Sequence, residues 1–439
     1  MRRTTAIVLG LALVIAGAAP ALARPTWKRR IDRLVGGRSV GVSVWRGSTR
    51  VYEHAPRTKR TPASNQKLLA SMALLDALGR GFRLPTIAAA RARSGGVIRG
   101  HLWILGRGDP TVGTHGRFGP ALPVRETRVG RLARRIAAAG VRAVQGRVMG
   151  ATGYFRRDWN APGWRPYYRA RYIALPTALT FDGNTRRGVP VLDPERRLAA
   201  RLTTRLEALG VTVGGPPGAG PAPRGLTPLG RVRSPSLRAL LGHMNRTSSN
   251  FFAEVLGKRL AVARSGSPGT IAGAARAIAG WARRNGVRVT AYDASGLSYA
   301  NRISARGLVR LLQAARAEPW GRALLRSLAT PGRGTLEDRL AGVTVRAKTG
   351  TLDGVSALSG WVWLRRQRRW AEFSIMSRGQ AKSTAVEMED RIVRILSRSG
   401  RPRSAQRPPT APLTWTAARA LRRVAPAAAG STPAEARVA

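Results

Sequence analysis

The chain has 439 residues, 43% of them hydrophobic, with 77 Lys and Arg against 21 Asp and Glu, a formal charge of +56. That apolar content supports a substantial core and excludes wholesale disorder, and the length suits two or three domains or one domain carrying a large insertion. The lack of cysteine excludes disulfides and thiolate metal sites.

The charge suits nucleic acid, anionic lipids or acidic cell-envelope polymers, but arginine is scattered along the chain rather than gathered in one patch. His54, His101, His115 and His243 show no metal-ligand spacing. Arg2 and Arg3, an apolar run from Ala6 to Ala19 and the small-residue site Ala21-Leu22-Ala23 have the three parts of a secretory signal peptide over residues 1–23. The paired arginines raise twin-arginine export. Export to the periplasm or another extracytoplasmic envelope space argues against nucleic acid as a partner.

Ser39 to Arg46 and Arg50 to Glu53, separated by Gly47-Ser48, predict a β-hairpin. A helix follows from Ser64 to Leu78, apolar nearly throughout and stopped by Gly79, hence central and buried. From 81 to 231 short strand-like pieces such as Val97 to Leu105 alternate with Gly/Pro/Arg-rich turns, with helices predicted at Thr127 to Ala139 and Pro194 to Leu209. Arg156 to Asn184 is irregular and aromatic-rich (Trp159, Trp164, Tyr167, Tyr168, Tyr172, Phe181), and core packing is favoured over a ligand groove for these rings. Pro216 to Pro228 reads as a linker.

Helical patterning returns at Ser234 to Arg264, Thr270 to Asn285 and Ser304 to Ala317, with a tight turn at Asp293 to Ser298. Val343 to Lys348, Ala357 to Leu364 and Arg369 to Met376 predict consecutive antiparallel strands, closed by a helix near Ser383 to Ser397. The Pro/Ala/Arg-rich tail, 399–439, predicts disorder with at most a short helix at Trp415 to Arg423. The pattern predicts a split domain, 24–80 with 232–398, interrupted by a large, mainly β insertion at 81–231.

Three short segments carry candidate chemistry. Ser64 and Lys67 lie on one face of a helix, about 4.5 Å apart along its axis. A hydroxyl beside an amine can form a nucleophile without histidine if burial strips the amine of its proton. Only six of the 77 cationic residues are lysines, at 28, 59, 67, 258, 348 and 382, and lysine can lose a proton where arginine cannot. Ser248-Ser249-Asn250 supplies a Ser-x-Asn triplet, and Lys348-Thr349-Gly350-Thr351 a strand-borne lysine, hydroxyl and glycine. Each alone is ordinary: a helix cap with a surface lysine, a second cap, a strand end.

Together, and in this order, S-x-x-K, S-x-N and K-T-G mark penicillin-binding proteins and class A β-lactamases. The long insert after the first motif agrees, as do Gly146-Arg147-Val148 ahead of Tyr154-Phe155, Ala161-Pro162-Gly163-Trp164, Thr177 to Phe181 and Asp293-Ala294-Ser295-Gly296-Leu297-Ser298. The chain thus resembles the D-alanyl-D-alanine carboxypeptidase/endopeptidase family of low-molecular-mass, class C penicillin-binding proteins over about Thr26 to Ser397. The resemblance implies an α+β transpeptidase fold of the penicillin-binding-protein/β-lactamase type, an antiparallel sheet flanked by helices with a helical subdomain. It also implies removal of terminal D-alanine from peptidoglycan stem peptides, or cleavage of their cross-links, acylation by β-lactams, and no metal or cofactor.

On that footing Ser64 is the expected nucleophile, Lys67 its base, Ser248 the proton relay and Asn250 the partner of Lys67 and of the substrate amide. Lys348 and Thr349 are expected to hold the substrate's C-terminal carboxylate, with Gly350 giving close backbone approach. The N–H groups of Ser64 and Thr351 are the expected oxyanion donors. Two departures stand out: relatives carry an acid just before Tyr154-Phe155, absent from Gly150 to Gly153, and Ala294 replaces a usual glycine. The missing acid affects expected recognition of the stem peptide's third residue, not the acyl transfer.

The alternatives are a serine β-lactamase, disfavoured by the insertion and the lack of an evident deacylation glutamate, and a weakly active wall-binding homologue, disfavoured by intact motifs. No G-x-S-x-G segment supports a Ser-His-Asp hydrolase. Anionic envelope polymers or a membrane surface are further candidate partners through charge alone.

Overall fold

The computed structural model describes residues 25–114, 124–266 and 268–400. The expected signal peptide and the expected helix at Trp415 to Arg423 lie outside these residues. Helix α1, Thr26–Val35, precedes a hairpin of β1, Val40–Arg46, and β2, Thr49–His54. A single 3-10 turn, Ala63–Asn65, leads into α2, Gln66–Leu78. Every residue of α2 from Gln66 to Leu75 is buried, as expected of a helix apolar on all sides.

The chain then builds β3, Pro85–Ala90, β4, Leu102–Gly106, α3, Val129–Ala138, β5, Val148–Thr152, α4, Pro194–Glu207, β6, Gly218–Pro221, and β7, Thr227–Arg233. These five strands form one sheet in the order β6-β5-β4-β3-β7. β5 pairs parallel with both β6 and β4, whereas β3 is antiparallel to β4 and β7. Leu132 and Ile136 of α3 and Leu198, Leu202 and Leu206 of α4 pack with Ile104 and Val148 of the sheet in one apolar cluster.

The expected linker at Pro216 to Pro228 is corrected here: Gly218–Pro221 and Thr227–Arg233 are the two edge strands. A proline is tolerated on an edge because its missing N–H faces away from the ladder. Composition alone therefore mimics a loop.

The second half contains α5, Leu237–Thr247, α6, Asn250–Ser265, α7, Ile271–Arg284, α8, Ala305–Ala317, and α9, Gly321–Ser327. It ends with β8, Val345–Leu352, β9, Val355–Leu364, β10, Arg369–Arg378, and α10, Lys382–Ser397. β8, β9 and β10 join the N-terminal hairpin in an antiparallel sheet ordered β8-β9-β10-β1-β2. One apolar cluster joins α2 to α5, α6, α7 and α8, and another packs α1 and α10 against the sheet. The stretch read as helical from Ser234 to Arg264 is two helices, broken where Ser248 takes a left-handed conformation, φ 58° and ψ 32°.

Lys258 joins the irregular aromatic-rich stretch to α6. Its fully buried ammonium donates to the carbonyls of Arg156 (3.0 Å), Asp158 (2.9 Å) and Pro176 (3.0 Å), and lies 2.7 Å from Asp158 Oδ1. Removing one member of a buried, fully bonded charge set strands the others. Lys258→Met is therefore expected to destabilise the protein by about 3 kcal/mol. Urea unfolding, with limited proteolysis of the 156–176 stretch, measures the loss.

Candidate active site

The turn carrying Ser64 is held from three sides. Asn65 Nδ2 donates to Ser359 Oγ of β9 at 2.8 Å, and Ser359 Oγ lies 2.9 Å from Ser374 Oγ of β10. Gln66 Nε2 donates to the carbonyl of Asp293 at 3.1 Å. Gly296, at φ +85°, passes so close beneath the turn that a Cβ there would lie 1.9 Å from Ala63 O. Only glycine fits that backbone and that gap. Gly350 of edge strand β8 is tight as well, though less so, since a Cβ would stand 2.9 Å from Pro62 O and 3.0 Å from Ser64 N.

Lys67, one turn along, is fully buried. Its Nζ lies 3.0 Å from Ser64 Oγ, 2.8 Å from Asn250 Oδ1 and 2.6 Å from Ser295 O. Asn250 Nδ2 donates to Tyr172 O at 3.1 Å, which fixes the amide so that its oxygen faces the amine. Burial pulls the Lys67 pKa from the ordinary lysine range to about 7, against the attraction of Asp293 and Glu254. A neutral amine has two donors and one lone pair. Its surroundings match: two carbonyl-type oxygens accept the N–H groups, and the lone pair can accept the Ser64 hydroxyl.

Lys348 of β8 is also fully buried, donating to Ser248 Oγ at 2.9 Å and to Thr349 O at 2.7 Å. Burial, and next the charge of Lys67, hold its pKa well below the ordinary value. The left-handed turn at Ser248 ends α5, and the Ser249 side chain caps α6 by accepting from Phe252 N. Ser248 and Asn250 thereby face different lysines from one helix–helix junction.

The structure thus brings Ser64, Lys67 and Asn250 into one bonded group and Ser248 with Lys348 into a second, linked through the Ser248–Asn250 junction. Thr349, Gly350 and Thr351 follow on β8, half-buried, buried and exposed respectively. Among the described residues no group of three or more His, Cys, Asp or Glu could hold a metal.

Two acids stand behind the three motifs: Glu254, which no quoted segment contains, and Asp293, which opens the quoted Asp293 to Ser298 segment. Glu254, fully buried on α6, accepts from Ala294 N (3.0 Å) and Ser295 N (2.7 Å). It thereby orients the Ser295 peptide, whose oxygen meets Lys67. Burial, and next the Asp293 charge, push its pKa up to about 8. At that value the Glu254 carboxyl is mostly protonated at neutral pH, and its attraction on Lys67 sets in only as it ionises at higher pH. Asp293 in turn accepts from Trp164 Nε1 (2.8 Å), Gly296 N (3.0 Å), Ser298 N (2.8 Å) and Asn301 Nδ2 (2.7 Å). The available signal for Glu254 was its i,i+4 spacing from Asn250 on a buried helix.

Among the aromatics, Trp164, Tyr168 and Phe181 are buried, but Tyr167 and Tyr172 are 39% and 53% exposed. The core reading therefore does not hold for these two, because their stretch lies where the backbone of Tyr172 contacts Asn250 at the site.

The family model described as "D-Ala-D-Ala carboxypeptidase 3 (S13) family" matches residues 29–189 and 183–399. The carboxypeptidase DacB of Mycolicibacterium smegmatis is 29% identical over 370 residues, 78% of this chain and 77% of that protein. A carboxypeptidase of Mycobacterium tuberculosis is 31% identical over 348 residues, 72% of this chain and 70% of that one. Among solved structures, penicillin binding protein 4 (dacB) of Haemophilus influenzae shares the fold with a TM-score of 0.69 at 19% identity, covering 84% of this chain and 99% of that one.

With Lys67 as the expected base, its pKa of about 7 gives a sign for the pH dependence. Activity rises with pH as Lys67 loses its proton, so kcat/KM is expected to show an acid limb near pH 7. Glu254→Gln, close in shape to the protonated acid, leaves that midpoint in place. A fall of a full unit in the variant would show Glu254 ionised and acting on the amine. Stopped-time assays from pH 5 to 9 on a D-Ala-D-Ala peptide, about two units either side of the midpoint, measure both.

Proposed function

The chain belongs to the D-Ala-D-Ala carboxypeptidase 3 (S13) family, and on that premise we propose how its own residues carry out the reaction. It is a serine-type peptidase of cell-wall peptides. Ser64 Oγ attacks the carbonyl of the penultimate D-alanine while its proton passes to the Lys67 amine. The N–H groups of Ser64 and Thr351 receive the developing oxyanion. The C–N bond to terminal D-alanine, or to the cross-linked amine in an endopeptidase turnover, then breaks. The proton reaches the leaving nitrogen through Ser248, and water with Lys67 as base releases the acyl group. Every charge change is carried by residues present in the site.

Lys348 and Thr349 hold the C-terminal carboxylate, whose negative charge favours the protonated form of the buried Lys348 amine and accepts its N–H. β8 is an edge strand, so the peptide backbone can add to it as a further strand, beside Gly350. A β-lactam would acylate Ser64 in the same way. Its leaving nitrogen stays tethered by the ring, which obstructs the water and prolongs the acyl-enzyme. The same reading treats 24–80 and 232–398 as one catalytic domain interrupted by 81–231, and residues 1–23 as the signal that exports the enzyme to the periplasm or its equivalent. None of the described helices is long and apolar enough to cross a membrane.

The observation that carries this reading is the bonding of Lys67 Nζ to Ser64 Oγ, Asn250 Oδ1 and Ser295 O, with no exposure to solvent. Ser64→Ala is expected to abolish covalent labelling by a fluorescent penicillin while the unfolding transition stays put. Undiminished labelling would refute Ser64 as the nucleophile.

Lys348→Arg forces a larger, planar and permanently charged group into a closed slot. It should lower kcat/KM by roughly 100-fold, about 2.7 kcal/mol of transition-state stabilisation. Wild-type kinetics in that variant would exclude Lys348 from carboxylate binding.

A further inference from the structure

A cavity of about 740 Å³ opens against the C-terminal half of α5, lined in part by Gly242, His243, Arg246 and Thr247, the last residues before Ser248. The guanidiniums of Arg80, Arg125, Arg238, Arg322 and Arg326 line it together with those of Arg246 and Arg333, and no carboxylate does. Among the described residues, none of these arginines takes part in an ion pair. Burial, then the charges of Arg333 and Arg346, depress the pKa of Arg246.

A second cavity of about 680 Å³ shares Arg125, Pro235 and Ala239 with the first and continues past Arg131, Arg135 and Arg231, with Glu126 as its one acid. The two form a continuous cationic track between α3, α5 and α9. Like charges gathered in a cleft with low-dielectric walls repel one another and focus a field into it. They are suited to a ligand that supplies repeated negative charge along a line.

We propose that this track binds a linear phosphodiester polymer of the cell envelope and holds it beside the Ser248 end of α5. Arginine forks pair with phosphate oxygens bidentately, and successive arginines on facing elements suit successive phosphates. The lining favours such a polymer over single-stranded nucleic acid. No tryptophan, tyrosine or phenylalanine lines either cavity, and binding of single strands relies on bases stacking upon such rings. Other arginines of this chain also line a cavity, of about 980 Å³ between α1 and α10. That cavity includes Trp27, Leu34 and Ile395 among its lining and provides the internal control for non-specific charge.

The test uses the full chain and a fluorescent poly(glycerol phosphate) of defined length, with binding followed by anisotropy across a salt series. The track variant carries Arg125→Gln, Arg131→Gln, Arg238→Gln and Arg322→Gln, all at exposed positions. The control variant carries Arg30→Gln, Arg33→Gln, Arg366→Gln and Arg398→Gln, also exposed. The track variant should bind at least about tenfold more weakly, its log K against log salt slope shallower by about 3, as expected for losing four phosphate contacts on a single chain. The control variant should change its slope by less than about 1. Equal losses in the two variants would overturn the proposal, leaving only net charge. Stronger competition by oligo-dT than by the polymer at equal phosphate concentration would assign the track to nucleic acid and overturn it too.

Should the track variant misfold, arginine modification of the wild-type chain by a dicarbonyl reagent decides the matter. The polymer must protect Arg125, Arg238 and Arg322 but not Arg30 and Arg33, and uniform protection counts against the track. Penicillin labelling of each variant reports the Ser64 chemistry separately, so failure of one reading is distinguishable from failure of the other.

Discussion

One amine governs the arrangement of this molecule. Lys67 is buried completely, and burial of a lone ammonium is among the most unfavourable acts in folding unless the group is paired or discharged. Here burial draws its pKa down to about 7, so the amine can shed its proton near neutral pH, and the three oxygens around it can serve either form. Ser295 O and Asn250 Oδ1 accept from the amine, and Ser64 Oγ lies 3.0 Å from it, within reach to give its proton to the lone pair once the amine is neutral. Much of the neighbouring structure keeps those three oxygens in place. Glu254 bonds the peptide N–H groups of Ala294 and Ser295, Asp293 bonds the rest of the same turn, and Gly296 lets it lie directly beneath Ala63.

The segment between α2 and α5 takes part in this arrangement although its own sheet lies apart from the antiparallel one. Its irregular stretch is anchored at one end by Lys258, supplies Trp164 to Asp293 and offers the Tyr172 carbonyl that orients Asn250. A buried lysine clamping three carbonyls is a rigid joint, whereas Tyr167 and Tyr172 are partly exposed beside the site, with the Tyr167 hydroxyl donating to Asp353. The segment therefore contributes to the geometry of the base as well as to the surroundings of the site.

How much of this was legible in the sequence follows from how local each feature is. The S-x-x-K spacing, the S-x-N triplet and the strand-borne K-T-G are local, and the rarity of lysine among so many arginines drew attention to Lys67 and Lys348. The antiparallel strands 345–378 and the central buried helix were readable from periodicity and from unbroken apolar runs. Pro216 to Pro228 was misread because edge strands tolerate glycine and proline that a central strand would reject. The break at Ser248 was hidden inside a helical pattern, since a single left-handed residue leaves the apolar spacing on either side intact. The i,i+4 spacing from Asn250 puts Glu254 on the same face of its helix, but which peptide N–H groups Glu254 and Asp293 meet depends on which loop packs beneath which turn.

The scarcity of lysine also makes the decisive measurement practical. With six lysines in the whole chain, carbon-13 labelling at lysine Cε gives a spectrum in which each can be assigned by substitution and titrated by NMR. The account predicts that one Cε resonance, lost in Lys67→Arg, titrates with a midpoint near 7 in the folded enzyme. A midpoint for Lys67 near 10.4, that of a solvated lysine, would contradict it, because the amine would then carry a proton throughout the working range and could not receive one from Ser64.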